Sequence, residues 1–302
     1  MIRPGRLWWQ FRRDLRRGWN ASRNYYKLLP LIARWHWPFW NERTKDIPIH
    51  VLTGAEDWQL AAWMLASFFV YTGEAWPIVV HEDGTVPEAA RQAFAAMFPQ
   101  VRFIGRPEAD TAMAAALKPF PHCAEYRASH PLALKIFDVP HFTAGERFII
   151  LDSDILFFRR PREILAWAAA GNDECWFNED VAESALITAK EAFDELHVQL
   201  WPRVNSGLCL LHKSALDLAF CDEALARTTI LRGKIWRVEQ TLFALCASRH
   251  GKGGLLPKTY EVSLGKAASP DAISRHYVGA VRDHFYGEGL PRVASAIFNS
   301  DE

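Results

Sequence analysis

Two aspartates one residue apart, Asp152 and Asp154, sit inside the run Phe148-Ile149-Ile150-Leu151-Asp152-Ser153-Asp154-Ile155-Leu156-Phe157-Phe158. The unbroken apolar approach predicts a strand buried on both faces. In extended chain, residues two apart project to the same side, so the two carboxylates are expected to face one place. Carboxylates beside a core strand repel each other and lose hydration. A divalent cation offsets both costs, and hard oxygen ligands suit Mg²⁺ or Mn²⁺. A surface turn with two solvated aspartates is the alternative, and the apolar flanks count against it. A calcium loop needs a third ligand at the next alternate position and then a glycine; Leu156 and Phe157 exclude it.

The surrounding elements must bring partners to this pair. Ile47 to Leu52 reads as a first strand ending at Thr53-Gly54, Gln59 to Tyr71 as a buried helix stopped by Gly73, and Pro77 to His81 as a second strand. Pro87 to Phe98 is helical in pattern, and Val101 to Ile104 is a short third strand. Strands alternating with helices predict an α/β fold with a mainly parallel central sheet flanked by helices, its ligands gathering at strand C-terminal ends. The end of the first strand is therefore a candidate nucleotide pocket, with Asp57 placed for a base or ribose edge and Trp58 for stacking. An ordinary capping loop is the alternative. Beyond the aspartates, Leu132 to Val139 and Pro161 to Ala170 read as helices, and Glu174 to Phe177 as a strand ending in Asn178-Glu179-Asp180. No Gly-x-Gly-x-x-Gly or Walker-type loop occurs, which counts against dinucleotide and P-loop readings.

The chain has 302 residues, half of them hydrophobic, enough for one large α/β domain. Lys plus Arg and Asp plus Glu each number 35, but the first 45 residues hold eleven basic residues against Asp14 and Glu42. Five cysteines without a Cys-x-x-Cys pair fit reduced, buried thiols in a cytoplasmic protein. Residues 1–46 form a separate basic, tryptophan-rich segment carrying Trp8, Trp9, Trp19, Trp35, Trp37 and Trp40. Its arginines deny it the apolar core of a secretory signal, and the run from Leu28 to Trp40 is too short to span a bilayer. Arginine with tryptophan suits an anionic membrane surface, and Leu7, Trp8, Phe11, Leu15 and Trp19 recur at helical spacing. An extension packed on residues 47–302 is the other reading; nucleic-acid binding lacks a recognisable module.

The Asp-x-Asp run resembles the metal motif of nucleotide-sugar glycosyltransferases of the GT-A fold, and three distant segments resemble those of glycosyltransferase family 8. Phosphohydrolases with a nucleophilic aspartate carry a similar run near the start of their domain, with Thr or Val where Leu156 stands here. Val204-Asn205-Ser206-Gly207 resembles the family's Asn-Ala/Ser-Gly element, which implies Asn205, Ser206 and Gly207 beside the donor sugar. Glu239-Gln240 stands where Asp-Gln is usual, implying donor contact by Gln240 and a carboxylate in Glu239. Lys135 stands where an arginine usually reaches the donor; a solvated lysine on a helix is the alternative. His276, Gly279 and Arg282 keep the spacing of the family's His-x-x-Gly-x-x-Lys ending, which implies a metal ligand followed by two contacts to the pyrophosphate. The Pro-Trp that usually follows is replaced by Asp283-His284. Asp180 matches an acceptor-side aspartate by position after a strand.

The resemblance covers about residues 47 to 286. It implies a GT-A domain transferring a sugar from a nucleotide-sugar donor to a glycan or lipid-linked acceptor, in surface glycan or lipopolysaccharide synthesis. Asp152, Asp154 and His276 would hold Mn²⁺ or Mg²⁺, and retention of anomeric configuration is implied with Glu239, then Asp180, as catalytic candidates. Two rivals stay open. A sugar-1-phosphate nucleotidyltransferase would need a Gly-rich, Arg-containing N-terminal loop that Leu52-Thr53-Gly54-Ala55 does not provide. The other is a non-catalytic membrane-surface binding protein on a degenerate transferase domain.

Overall fold

The computed structural model describes residues 4–36 and 45–298. Trp37 and Trp40 of the tryptophan-rich segment lie outside the described residues. Among the described residues there are ten strands: β1 Ile49–Thr53, β2 Ile78–Glu82, β3 Val101–Ile104, β4 Arg147–Leu151, β5 Ile155–Phe157, β6 Cys175–Glu179, β7 Val204–His212, β8 Gly253–Leu255, β9 Tyr260–Val262 and β10 Ser274–His276. The helices of the N-terminal half are α1 Pro4–Arg17, α2 Trp19–Lys27, α3 Trp58–Thr72, α4 Glu88–Met97, α5 Arg106–Ala116, α6 Pro121–Ser129 and α7 Ala133–Phe142. Those of the C-terminal half are α8 Arg162–Ala170, α9 Ala189–Leu196, α10 Leu218–Arg227, α11 Val238–His250, α12 Arg282–His284 and α13 Leu290–Phe298.

A central sheet runs in the order β3-β2-β1-β4-β7-β6-β8. Its pairings are parallel except around β7, which is antiparallel to both β4 and β6. The expected mainly parallel sheet flanked by helices is therefore present. Alternation along β4 and β7 explains why their sequences are apolar throughout. Ile149, Leu151, Leu208 and Leu210 join one core cluster, which includes α3 and α13. Phe148, Ile150, Cys209 and Leu211 join another, shared with α6, α7, α10 and α11. Helix α3 is apolar on all sides because it is buried all round, and Gly73 closes it in the left-handed conformation at φ 68°.

A second sheet, β5-β10-β9, was not foreseen from the sequence. Its strands have three residues each, too short for an alternation signal. It matters because β5 follows Asp154 and β10 ends at His276. The two aspartates consequently lie in the turn joining the sheets, closed by Ile155 N–H donating to Asp152 O at 3.3 Å. The expectation that both sit in one extended strand is corrected: a turn, not strand alternation, brings them together.

The N-terminal segment divides. Ala21, Leu29, Ile32 and Trp35 are buried in the core. Trp63 Nε1 donates to Leu29 O at 2.9 Å and Trp35 Nε1 to Ile297 O at 3.0 Å. Helix α1, in contrast, leaves Trp8, Phe11 and Leu15 exposed. All five cysteines are buried and reduced.

Candidate active site

Three strand ends converge on one place because β7 runs against its neighbours. Its first residues lie beside the C-terminal ends of β4 and β6: Leu151 pairs with Leu208 and Asn178 with Asn205. Asp152 N–H then donates to Gly207 O at 2.8 Å. From the small sheet, β10 pairs antiparallel with β5, and Tyr277 N–H donates to Asp154 O at 2.8 Å. That register sets His276 against the aspartates. Its Nε2 lies 3.1 Å from Asp154 Oδ1 and 3.7 Å from Asp152 Oδ2.

The three side chains fit a divalent cation. Their ligand atoms all lie within 4.8 Å of one another. His276 Nδ1 is 3.0 Å from Asn205 Oδ1, which also accepts from Gly207 N–H, so Nδ1 carries the proton toward Asn205 and Nε2 faces the carboxylates. Burial opposes charge on His276, yet Asp154 outweighs it and raises the imidazole pKa. Burial pushes Asp154 up, while His276 and Arg282 pull it below the usual carboxylate value.

Lys135, the one lysine of the apolar helix α7, is not solvated. It is almost wholly buried, with Nζ 3.0 Å from Asp152 Oδ1, 2.8 Å from Glu239 Oε1 and donating to Ser206 O at 2.9 Å. Burial would lower its pKa, but Asp152 and Glu239 outweigh this and raise it. Glu239, at the start of α11, is equally buried; its Oε2 accepts from Ser206 Oγ at 3.0 Å. Burial raises the Glu239 pKa, with Lys135 pulling against it. Gln240 Oε1 accepts from Ser206 N–H at 3.2 Å. Both Glu239 oxygens thus hold protein groups in place.

These residues line a cavity of about 770 Å³. Asp57, Lys135, Asp152, Asp154, Asp180, Asn205, Ser206, Glu239, Gln240, His276, Gly279 and Arg282 all contribute to its wall. Arg282 bridges Asp154, through Nη2 at 3.0 Å, and Asp57, through Nη1 at 3.3 Å. Burial raises the Asp57 pKa, opposed by Arg282. Asp180 Oδ2 accepts from Asn205 Nδ2 at 3.2 Å, so Asp180 is linked to the residue that bonds His276. A Cβ on Gly279 would meet nothing within 4 Å, so the fold alone does not demand glycine there.

Two expected residues are placed otherwise. Trp58, at the start of α3, is half-buried and packs against the core instead of lining the cavity. Gly207 is not among the residues lining the cavity: a Cβ there would stand 2.3 Å from the His276 ring, so the glycine makes room for the imidazole. Thr53, in the strand end expected to form the pocket, lines the cavity, and so do Trp236 and Leu264, which sequence reasoning missed. Buried Thr53 Oγ1 finds no hydrogen-bond partner among the described residues. Trp236 is half-exposed beside Lys234, whose Nζ is 5.5 Å from the ring centre. The signal for Trp236 was its place three residues before Glu239; it sits in the 3₁₀ turn Ile235–Arg237, which buries none of its residues.

A seven-stranded sheet with a carboxylate–histidine cluster at its strand ends is the arrangement of the GT-A glycosyltransferase fold, and this chain has that fold. Mouse xyloside xylosyltransferase 1 in its apo form superposes with a TM-score of 0.52 at 11% identity, covering 78% of this chain and 99% of that one. The galactosyltransferase LgtC, in complex with donor and acceptor sugar analogs, gives 0.53 at 12% identity over 84% of this chain and 96% of its own. The bifunctional glycosyltransferase WbbM gives 0.55 at 12% identity over 85% of this chain and 50% of its own. No family model and no curated protein sequence matches the chain. At these identities the likeness establishes the fold.

Proposed function

We propose that the chain is a metal-dependent glycosyltransferase of the family 8 type, moving a hexosyl group from a nucleotide diphosphate sugar to an acceptor hydroxyl in surface glycan or lipopolysaccharide synthesis. The observation that carries this reading is the meeting of Asp152, Asp154 and His276 on the wall of a cavity of sugar-nucleotide size. Two oxygen ligands with one imidazole suit Mn²⁺ better than Mg²⁺. A cation held there supplies Lewis-acid stabilisation of the charge that builds on the diphosphate as the anomeric C–O bond breaks. Arg282 contributes a second positive group for the same phosphates. Gly279, with open space before it, allows them close to the backbone. Thr53 and Asp57 offer polar contacts for the nucleoside at the end of β1.

The acceptor oxygen forms the new bond to the anomeric carbon as the bond to the diphosphate breaks, and its proton leaves on the released nucleoside diphosphate. Asp180 is the carboxylate on the acceptor side of this reading. Glu239 acts through Lys135 and Ser206, positioning them, since both its oxygens are committed to those groups. Retention of configuration follows from family 8 similarity. The test is release of nucleoside diphosphate from a panel of nucleotide sugars with Mn²⁺. Slow release from one donor, abolished by Asp154→Asn, is expected; no release and no binding with any donor overturns the reading.

A further inference from the structure

We propose that the exposed face of α1 and the start of α2 is a docking surface for an anionic lipid bilayer. Trp8, Phe11, Leu15 and Trp19 are exposed by 57%, 54%, 66% and 84%, a concentration of large apolar side chains unmatched elsewhere among the described residues. Phe11, Leu15, Trp19 and Tyr26 line one shallow groove of about 810 Å³ between the two helices. An apolar face of this kind is costly in water and marks a partner.

Charge identifies the partner. Arg12, Arg16, Arg23 and Lys27 are all exposed, and Arg23 and Lys27 rim the groove itself. The only acidic side chain there, Asp14, is taken up internally: Tyr26 hydroxyl donates to its Oδ2 at 2.8 Å, and Arg13 and Arg17 pair with Oδ1. Aromatic rings flanked by cations, without free acidic groups, match a surface of apolar chains beneath anionic headgroups. Arg12 lies 5.1 Å from the Trp8 ring centre, so cation and ring present together.

The helix pair is fixed to the body, so docking would orient the whole molecule. Arg17 is buried between Tyr25 and Tyr286 and donates from Nε to Asp283 at 2.9 Å. Asn24 Nδ2 donates to Tyr286 O at 2.8 Å. Asp283 neighbours Arg282, which lines the cavity, so the docking face and the cavity rim share α12. This inference stands apart from the transferase reading, because its test needs no turnover.

The test is flotation of the full chain with phosphatidylcholine vesicles, with and without phosphatidylglycerol. Binding to the anionic vesicles alone is expected, weakened as salt shortens the screening length from about 10 Å at 0.1 M to about 3 Å at 1 M. Phe11→Ser/Leu15→Ser/Trp19→Ser should weaken it roughly tenfold or more with an unchanged unfolding temperature. Should that variant misfold, Arg12→Glu/Arg23→Glu/Lys27→Glu, altering exposed cations only, should lose anionic binding equally. Absence of binding, equal binding to neutral vesicles, or a dimer that the serine variant disperses would each overturn the proposal.

Discussion

Lys135 Nζ lies 3.0 Å from Asp152 Oδ1 and is withdrawn from solvent, so one carboxylate of the Asp152–Asp154–His276 cluster is balanced by a buried ammonium group. Glu239 completes the arrangement from the opposite side. Removing the lysine would leave two carboxylates facing each other in the interior. Lys135→Ala should therefore destabilise the fold by about 3–5 kcal/mol, read by denaturant unfolding. Glu239→Gln keeps a hydrogen-bonding side chain and should cost less than half as much, while displacing Lys135 enough to reduce turnover. Equal stability of Lys135→Ala and the parent would show that the pair adds nothing.

The cation is the next target. Asp152→Asn and Asp154→Asn should each weaken Mn²⁺ binding, read by calorimetry, by roughly 100-fold, and Asn205→Ala by roughly tenfold through loss of His276 orientation. Binding must displace the proton that Asp154 holds on His276, so affinity should fall as pH drops below the raised imidazole pKa. Pair-independent, pH-independent Mn²⁺ binding would remove all three residues from the site.

Gly207 and Gly279 separate two meanings of glycine. Gly207→Ala drives a methyl group into the His276 ring and should abolish metal binding without any contact to donor. Gly279→Ala meets open space, so stability should stay within about 0.5 kcal/mol of the parent while nucleoside diphosphate binding weakens. The reverse pattern would exchange their roles.

Trp236 lines the cavity and offers an exposed ring to a sugar face. Trp236→Ala should raise the acceptor KM by roughly tenfold, a loss on the scale of one aromatic contact, with donor hydrolysis unchanged. If both change together, the ring serves the donor.

A buried histidine pair sets the acid limit of stability. His81 Nε2 and His50 Nδ1 are 2.9 Å apart, and His50 Nε2 is 2.9 Å from Thr143 Oγ1, which donates to Val139 O. Burial keeps both rings neutral, lowering His81 to about 3 and His50 well below the ordinary value. The unfolded chain protonates them near pH 6.5, so it binds more protons than the folded chain below that point. Stability is therefore full above about pH 6.5 and falls by up to about 1.4 kcal/mol per pH unit per ring toward pH 3. His81→Gln should flatten that slope in pH-dependent unfolding.

The strands β1 to β4 and the helices α3, α4, α7 and α8 were legible because each carries an unbroken or periodic apolar pattern of ordinary length. The meeting of Asp152, Asp154 and His276 was legible only through the order of motifs, since no local pattern links residues on different sheets. The three-residue strands β5, β9 and β10 escaped notice because so few residues hold no period. Lys135 was ambiguous because a single charge on a helix has no sign of its own burial; the clue was that Leu134, Ile136 and Phe137 surround it with apolar neighbours. Trp58 was ambiguous because a tryptophan after a strand end stacks on bases and fills cores equally well.

The turn that carries the aspartates also joins the two sheets, and the third member of the cluster arrives only when β10 has closed on β5. A pairing so distant along the chain is expected to form late in folding. A cation that recognises the completed cluster would then stabilise the native state without helping the chain over its folding barrier. Mn²⁺ should accordingly slow unfolding in denaturant while leaving the refolding rate almost unaltered.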